Sequence, residues 1–174
     1  MSKKMTSPTR TYDGVVYQLK NLTICEELSE ETLLFGGDLY ADGKKIGYFK
    51  NDGHGGCTDG YLEPDMRDLG AKLNESLGKY RTFPEEEEGI LQDVMLTLED
   101  LAEMLAYDTL AFNDLKRKQS DRLILRKGRE YYTRKLPCSV RDCLSNHYKT
   151  IALRAAIQQV EKDGYEVLNT NIKF

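Results

Sequence analysis

The chain has 174 residues, 40% of them apolar and 31% charged, with a formal net charge of −4. That length buries a core without help from disulfides or metal, and it suits one compact α+β domain or one domain with a small appendage. No run of eighteen apolar residues occurs, which argues against a membrane-spanning helix.

The segment Met1-Ser2-Lys3-Lys4-Met5-Thr6-Ser7-Pro8 has two lysines and no apolar stretch. It predicts a flexible leader over residues 1–13 rather than a secretory signal. Four cysteines without such a signal point to reduced thiols and a cytoplasmic protein. A single α+β domain is expected over 14–174: a β-meander with a glycine-rich loop (14–60), a helical stretch (61–119), then a basic hairpin with C-terminal helices (120–174).

Residues 15–26 read as a strand whose imperfect alternation predicts a bulge or break near Asn21. A second strand is expected over 33–41. Asp42-Gly43 then signals a tight hairpin, because a type I′ turn needs φ > 0 at both central residues. The return strand runs through Ile46, Tyr48 and Phe49. Met66, Leu69, Leu73 and Leu77 place a helix over 65–80, started near Pro64. After a break at Phe83-Pro84, the stripe Leu91, Val94, Leu98, Leu101, Leu105, Phe112 and Leu115 predicts one long helix over about 87–118. Four glutamates at its start and Lys116-Arg117-Lys118 at its end both suit the helix dipole. Tyr107-Asp108-Thr109 marks a break or kink in it. Ile90, Met95, Met104 and Leu110 lie off the stripe, as a second core layer or the seam of a homo-oligomer. A second hairpin is expected from 121–126 and 130–135, then a short helix over 139–147, a longer one over 150–163 capped by Gly164, and a last short strand over 165–168. The fold class that follows is an antiparallel sheet packed against one long helix and shorter C-terminal helices.

Charge is divided along the chain. Residues 1–114 hold 11 basic and 23 acidic groups, and residues 115–174 hold 14 basic and 6 acidic groups. One half docking on the other explains this without function; an acidic and a basic face offered to partners is the alternative.

Chemistry concentrates in Asn51-Asp52-Gly53-His54-Gly55-Gly56-Cys57-Thr58-Asp59-Gly60. This stretch has one of two histidines, one of four cysteines and four of fourteen glycines. Glycine permits φ > 0 and close approach to the backbone. The functional reading is therefore an anion or ligand nest built on Asn51, Asp52, Gly53, His54, Gly55, Gly56 and Cys57, with basic help from Arg122, Arg126 and Arg129. The plain reading is a self-bonded turn with Asx geometry at Asn51 and Asp52. The spacing matches no phosphate-loop or dinucleotide signature.

Three further chemistries are open to these residues. Cys57 activated by His54 or His147 would serve a thiol- or metal-dependent hydrolase. Cys138, Cys143 and His147 have the spacing C-x4-C-x3-H, with Cys143 and His147 at i, i+4 on one expected helix, so zinc is an option. Cys143 in the core and His147 as a cap or surface group is the preferred account, and no cofactor is expected. Arg122, Arg126, Arg129, Arg134 and Lys135, interleaved with Tyr131 and Tyr132, would suit nucleic acid, but a sequence pI near 5.3 disfavours it.

The stretch Leu39-Tyr40-Ala41-Asp42-Gly43-Lys44-Lys45-Ile46-Gly47 followed by Asn51-Asp52-Gly53-His54-Gly55-Gly56 resembles a group of small accessory proteins encoded by bacteriophages and mobile elements. The likeness covers residues 15–60, with only the helix-rich layout shared beyond. The resemblance carries no activity and no catalytic residues. It implies a phage or mobile-element setting, in which small accessory proteins often counter host defence by binding a host protein or sequestering a nucleotide signal. The expectation is a non-enzymatic binding protein whose partner is a host protein or a small anionic ligand.

Overall fold

The computed structural model of the chain describes residues 7–81, 85–87, 90–92, 94–128 and 130–174. The chain divides into two compact units, Ser7–Leu110 and Ala111–Phe174.

The first unit is built on a five-stranded antiparallel meander: β1 (Arg10–Tyr12), β2 (Val15–Ile24), β3 (Phe35–Ala41), β4 (Lys44–Asn51) and β5 (Asp59–Leu62), paired in chain order. Two strands enlarge the expected sheet. Strand β1 occupies residues assigned to the leader, and β5 returns along β4 out of the glycine-rich loop. The break near Asn21 is present: its φ is 51°, and the β2–β3 register shifts between Lys20 and Thr23. The β3–β4 turn has φ of 47° at Asp42 and 79° at Gly43. Asp42 also anchors the turn to the neighbouring strand β2, since its Oδ1 accepts from Val16 N at 2.9 Å.

A 3₁₀ turn (Pro64–Met66) leads into helix α1 (Arg67–Leu77). Two short strands, β6 (Glu85–Glu87) and β7 (Ile90–Gln92), pair antiparallel. The expected break at Phe83-Pro84 lies outside the described residues. The long helix α2 (Leu98–Lys118) therefore starts eleven residues later than the hydrophobic stripe suggested, and three of the four glutamates belong to β6 rather than to its first turn. The start is decided by a capping box. Thr97 N and Oγ1 both donate to Asp100 Oδ2, and Asp100 N donates back to Thr97 Oγ1 at 3.2 Å. The helix runs unbroken through Tyr107-Asp108-Thr109, where Thr109 Oγ1 donates to Leu105 O at 2.7 Å. Leu39, Ile46, Phe49, Leu77, Leu101 and Leu105 form the fully buried centre of this unit, which places the inner sheet face against α1 and the first half of α2. At about 25 cal/mol per Å² of apolar surface, that burial is the main favourable term.

The second unit holds the last turns of α2, a three-stranded sheet of β8 (Arg122–Lys127), β9 (Glu130–Lys135) and β10 (Glu166–Val167) in the order β10–β8–β9, and helices α3 (Val140–Leu144) and α4 (His147–Lys162). Its core joins Leu123 and Leu125 to Val140, Cys143, Leu153, Ile157 and Val160. The expected helix over 139–147 stops at Leu144, because Asn146 caps a new helix: its side chain accepts from Tyr148 N and Lys149 N. His147 thus opens α4 and does not share a helix with Cys143. Gly164, with φ of 85°, follows the end of α4 as expected. The architecture is α+β. No helix among the described residues is long and apolar enough to cross a membrane.

Candidate functional site

The Asn51–Gly60 stretch connects β4 to β5 and is held by one buried side chain. Asn51 is 3% exposed. Its Oδ1 accepts from Thr32 Oγ1 at 2.8 Å and from Gly53 N at 2.9 Å; its Nδ2 donates to Gly56 O at 2.9 Å and to Thr58 Oγ1 at 3.4 Å. An asparagine amide offers two donors and a two-lone-pair acceptor, so the side chain is fully used. Thr58 passes the network to α2, its hydroxyl donating to Glu103 Oε2 at 2.9 Å.

A nest of successive backbone N–H groups exists beside this loop, formed by residues 30–32 rather than by the glycines. Glu30 N, Glu31 N and Thr32 N all converge on Gly53 O, at 2.9, 3.2 and 3.5 Å. The carbonyl occupies the position an anion would take. The glycine N–H groups turn inward as well: Gly53 N to Asn51 and Gly55 N to Thr32 Oγ1 at 3.2 Å.

Glycine is required at two of these positions. Gly53 and Gly55 both have φ of 83°, where a side chain is strained. A Cβ on Gly53 would also lie 2.9 Å from Leu34 Cβ, and one on Gly55 would run into the Glu31 carboxylate.

What this frame presents outward is Asp52, His54, Gly55, Gly56 and Cys57, all exposed. His54 Nδ1 sits 3.1 Å from Glu30 Oε2. Among the described residues no hydrogen bond links His54 to Cys57. Asp52 lies 3.5 Å from Lys50 Nζ, and its charge, with Tyr61 next, raises the ammonium pKa above its ordinary value.

Beside the loop, the outer sheet face is aromatic. Tyr48 and Tyr61 are directly opposite across β4 and β5, 43% and 56% exposed. Tyr48 lies diagonally across β3, so that a Cβ on Gly36 would meet its hydroxyl. Lys20 Nζ stands 4.2 Å above the Tyr40 ring. Exposed Val16 lies on the same face. These residues escaped the sequence reading. The cross-strand pairing of Tyr48 with Tyr61 is visible only once β5 is recognised as a strand.

The basic residues grouped with the loop belong to the other unit. Arg126 is bound by Glu166 across β8–β10, which raises the guanidinium pKa further. Arg122 Nε stands 3.7 Å from Asp121 Oδ1. Arg129 lies outside the described residues. On the edge strand β9, Tyr131, Tyr132, Thr133, Arg134 and Lys135 are all exposed.

Of the three residues with zinc-like spacing, Cys138 and Cys143 meet, their sulfurs 3.1 Å apart. Among the described residues, no group of three or more His, Cys, Asp or Glu side chains is arranged to hold a metal ion. A site on this pair would need two ligands from elsewhere to reach the usual four.

No protein-family model matches the chain, and neither a curated protein nor a solved structure matches it.

Proposed function

We propose that this chain is a non-enzymatic binding protein that acts through protein contact, using the outer face of the five-stranded sheet together with the Asp52–Cys57 rim. One observation carries the reading: Tyr48 and Tyr61 stand exposed as a cross-strand pair beside a loop pinned by the hydrogen bonds of buried Asn51. Rigid, amphipathic tyrosines supply contact area at low entropic cost, and interfaces are enriched in them. The loop supports this better than anion capture, because its inward N–H groups and the adjoining nest are engaged within the protein. The likeness of residues 15–60 to phage accessory proteins supports a host protein as the partner and interference with host defence as the purpose.

The test compares immobilised full-length protein with its Tyr48→Ser/Tyr61→Ser form in bacterial lysate, with partners identified by mass spectrometry. A near-stoichiometric partner that falls at least tenfold with the double variant, which keeps its circular dichroism spectrum, is the expected result. Equal capture by both forms overturns the reading. So does a nucleotide-sized excess in the native mass of the purified protein, which would restore the anionic ligand as the target.

A further inference from the structure

The pairing of Cys138 with Cys143 follows from how α3 begins. Ser139 is the N-cap, and its Oγ accepts from Asp142 N at 3.1 Å while donating to Asp142 Oδ2 at 2.7 Å. Cys138 therefore precedes the cap and Cys143 is the fourth helical residue, the two positions that a hydrophobic staple brings together. Here the staple is made of two thiols. The capping geometry sets their approach, and the core of Leu123, Val140, Leu153 and Val160 packs around them. Thr150 Oγ1 adds a second tie, donating to Cys143 O at 2.9 Å and so joining α3 to α4.

We propose that Cys138 and Cys143 form a dithiol modification site, oxidised to an intramolecular disulfide by small-molecule disulfides such as oxidised glutathione. The sulfurs stand 3.1 Å apart and need to close by roughly 1 Å to reach a bond of about 2.05 Å. The two thiols are unequal. Cys143 is 4% exposed, and burial, then contact with Cys138, pushes its pKa up to about 11. Cys138 is half-buried and is the sulfur an external reagent reaches. The Cys138 thiolate attacks the small disulfide, forming a mixed disulfide and expelling one thiolate of the reagent. Cys143 then gives its proton to solvent and attacks the Cys138 sulfur, expelling the second thiolate. Two protein thiols lose two electrons and two protons, and one small disulfide becomes two thiols.

The experiment uses the full chain carrying Cys25→Ser and Cys57→Ser, so that only this pair reacts, equilibrated in glutathione buffers of increasing oxidised fraction, acid-quenched and alkylated. The expected product is a single species with no alkylated thiol and an intact mass lower by about 2 Da, with no glutathione retained. Replacing Cys143 by Ser or by Ala should stop the reaction at a stable glutathione adduct on Cys138. Replacing Cys138 should leave Cys143 unmodified under the same conditions. Either a persistent adduct on the two-cysteine chain or two free thiols at every ratio overturns the proposal. Two substitutions at Cys143 are used so that misfolding of one, seen by circular dichroism, does not decide the outcome.

Discussion

Each unit contains a buried asparagine that replaces backbone pairing, and the two do so to different ends. Asn51 holds a loop from within. Three of its four partners lie two to seven residues away, and the result is a fixed rim of exposed His54, Gly55, Gly56 and Cys57. Asn169 continues a sheet. After β10 ends, Leu168 N donates to Ile124 O at 2.8 Å, and Asn169 Oδ1 then accepts from Ile124 N at 2.7 Å, where a strand would have offered a carbonyl. Its Nδ2 donates to Arg122 O at 2.8 Å, so the side chain closes the ladder and secures the following tail. A polar side chain buried to shape a loop fixes an exposed rim; one buried to finish a sheet fixes only the ladder it joins.

The largest expected effect breaks the first half of this comparison. Asn51→Ala strips the acceptor from Gly53 N–H and Thr32 Oγ1 and the donor from Gly56 O, in a region too buried for water to replace them freely. At ~1–3 kcal/mol for each stranded buried group, with partial relaxation, the loss should be about 3 kcal/mol. Hydrogen exchange of the β3 and β4 amides measures it within its own unit. A loss under about 1 kcal/mol would mean that the loop is held by its glycines and not by Asn51.

Asn169→Ala should cost less, about 2 kcal/mol, read from exchange of the β8 amides. Ile124 N–H and Arg122 O lose their partners, but Gln119 O keeps a second donor in Asn171 Nδ2 at 2.9 Å. Binding through the sheet face should survive this change and fail with Asn51→Ala. Equal binding losses would erase the distinction between a contact-making and an order-making asparagine.

Most of the fold was legible because local chemistry and tertiary packing agree. The bulge at Asn21, the Asp42-Gly43 turn, the basic hairpin and Gly164 are all short-range features with their own residue signatures. The charge divide read at residue 114 falls about four residues from the boundary between units. The errors share a cause. The stripe continued through 87–97 at helical spacing, yet the Thr97–Asp100 capping box fixes the start of α2. Likewise Asn146 divides what periodicity joined, separating His147 from Cys143. In the site, the unusual glycine content located the loop, but the residues that complete it, Glu30, Thr32 and Glu103, come from distant sequence and carry no spacing signal. The staple of Cys138 and Cys143 was missed, although Ser139 and Asp142 are the signal that marks the helix start between them.

A third polar anchor sharpens the comparison by its charge. Both asparagines are neutral, so their contributions should be flat with pH. Asp13, in the β1–β2 turn at φ 47°, does similar work with a carboxylate on the surface. It accepts from Ser76 Oγ, from Tyr80 OH at 2.6 Å and from Lys79 Nζ at 3.4 Å, tying the turn to the end of α1 and the residues after it. The bond from Ser76, then that from Tyr80, lowers its pKa from 3.8 to about 2. A carboxyl with a depressed folded pKa binds fewer protons folded than unfolded between those values. Its stabilising effect is therefore complete above about pH 4 and is lost as pH falls towards 2. Asp13→Asn tolerates the positive φ and keeps the shape, so it isolates the charge. The stability gap between parent and variant should be constant from neutral pH down to about 4 and close by about 2, whereas the gap for Asn51→Ala should not close. Measured in urea at a series of pH values, an Asp13 gap that persists at pH 2 would show that the anchor works through geometry alone, as the two asparagines do.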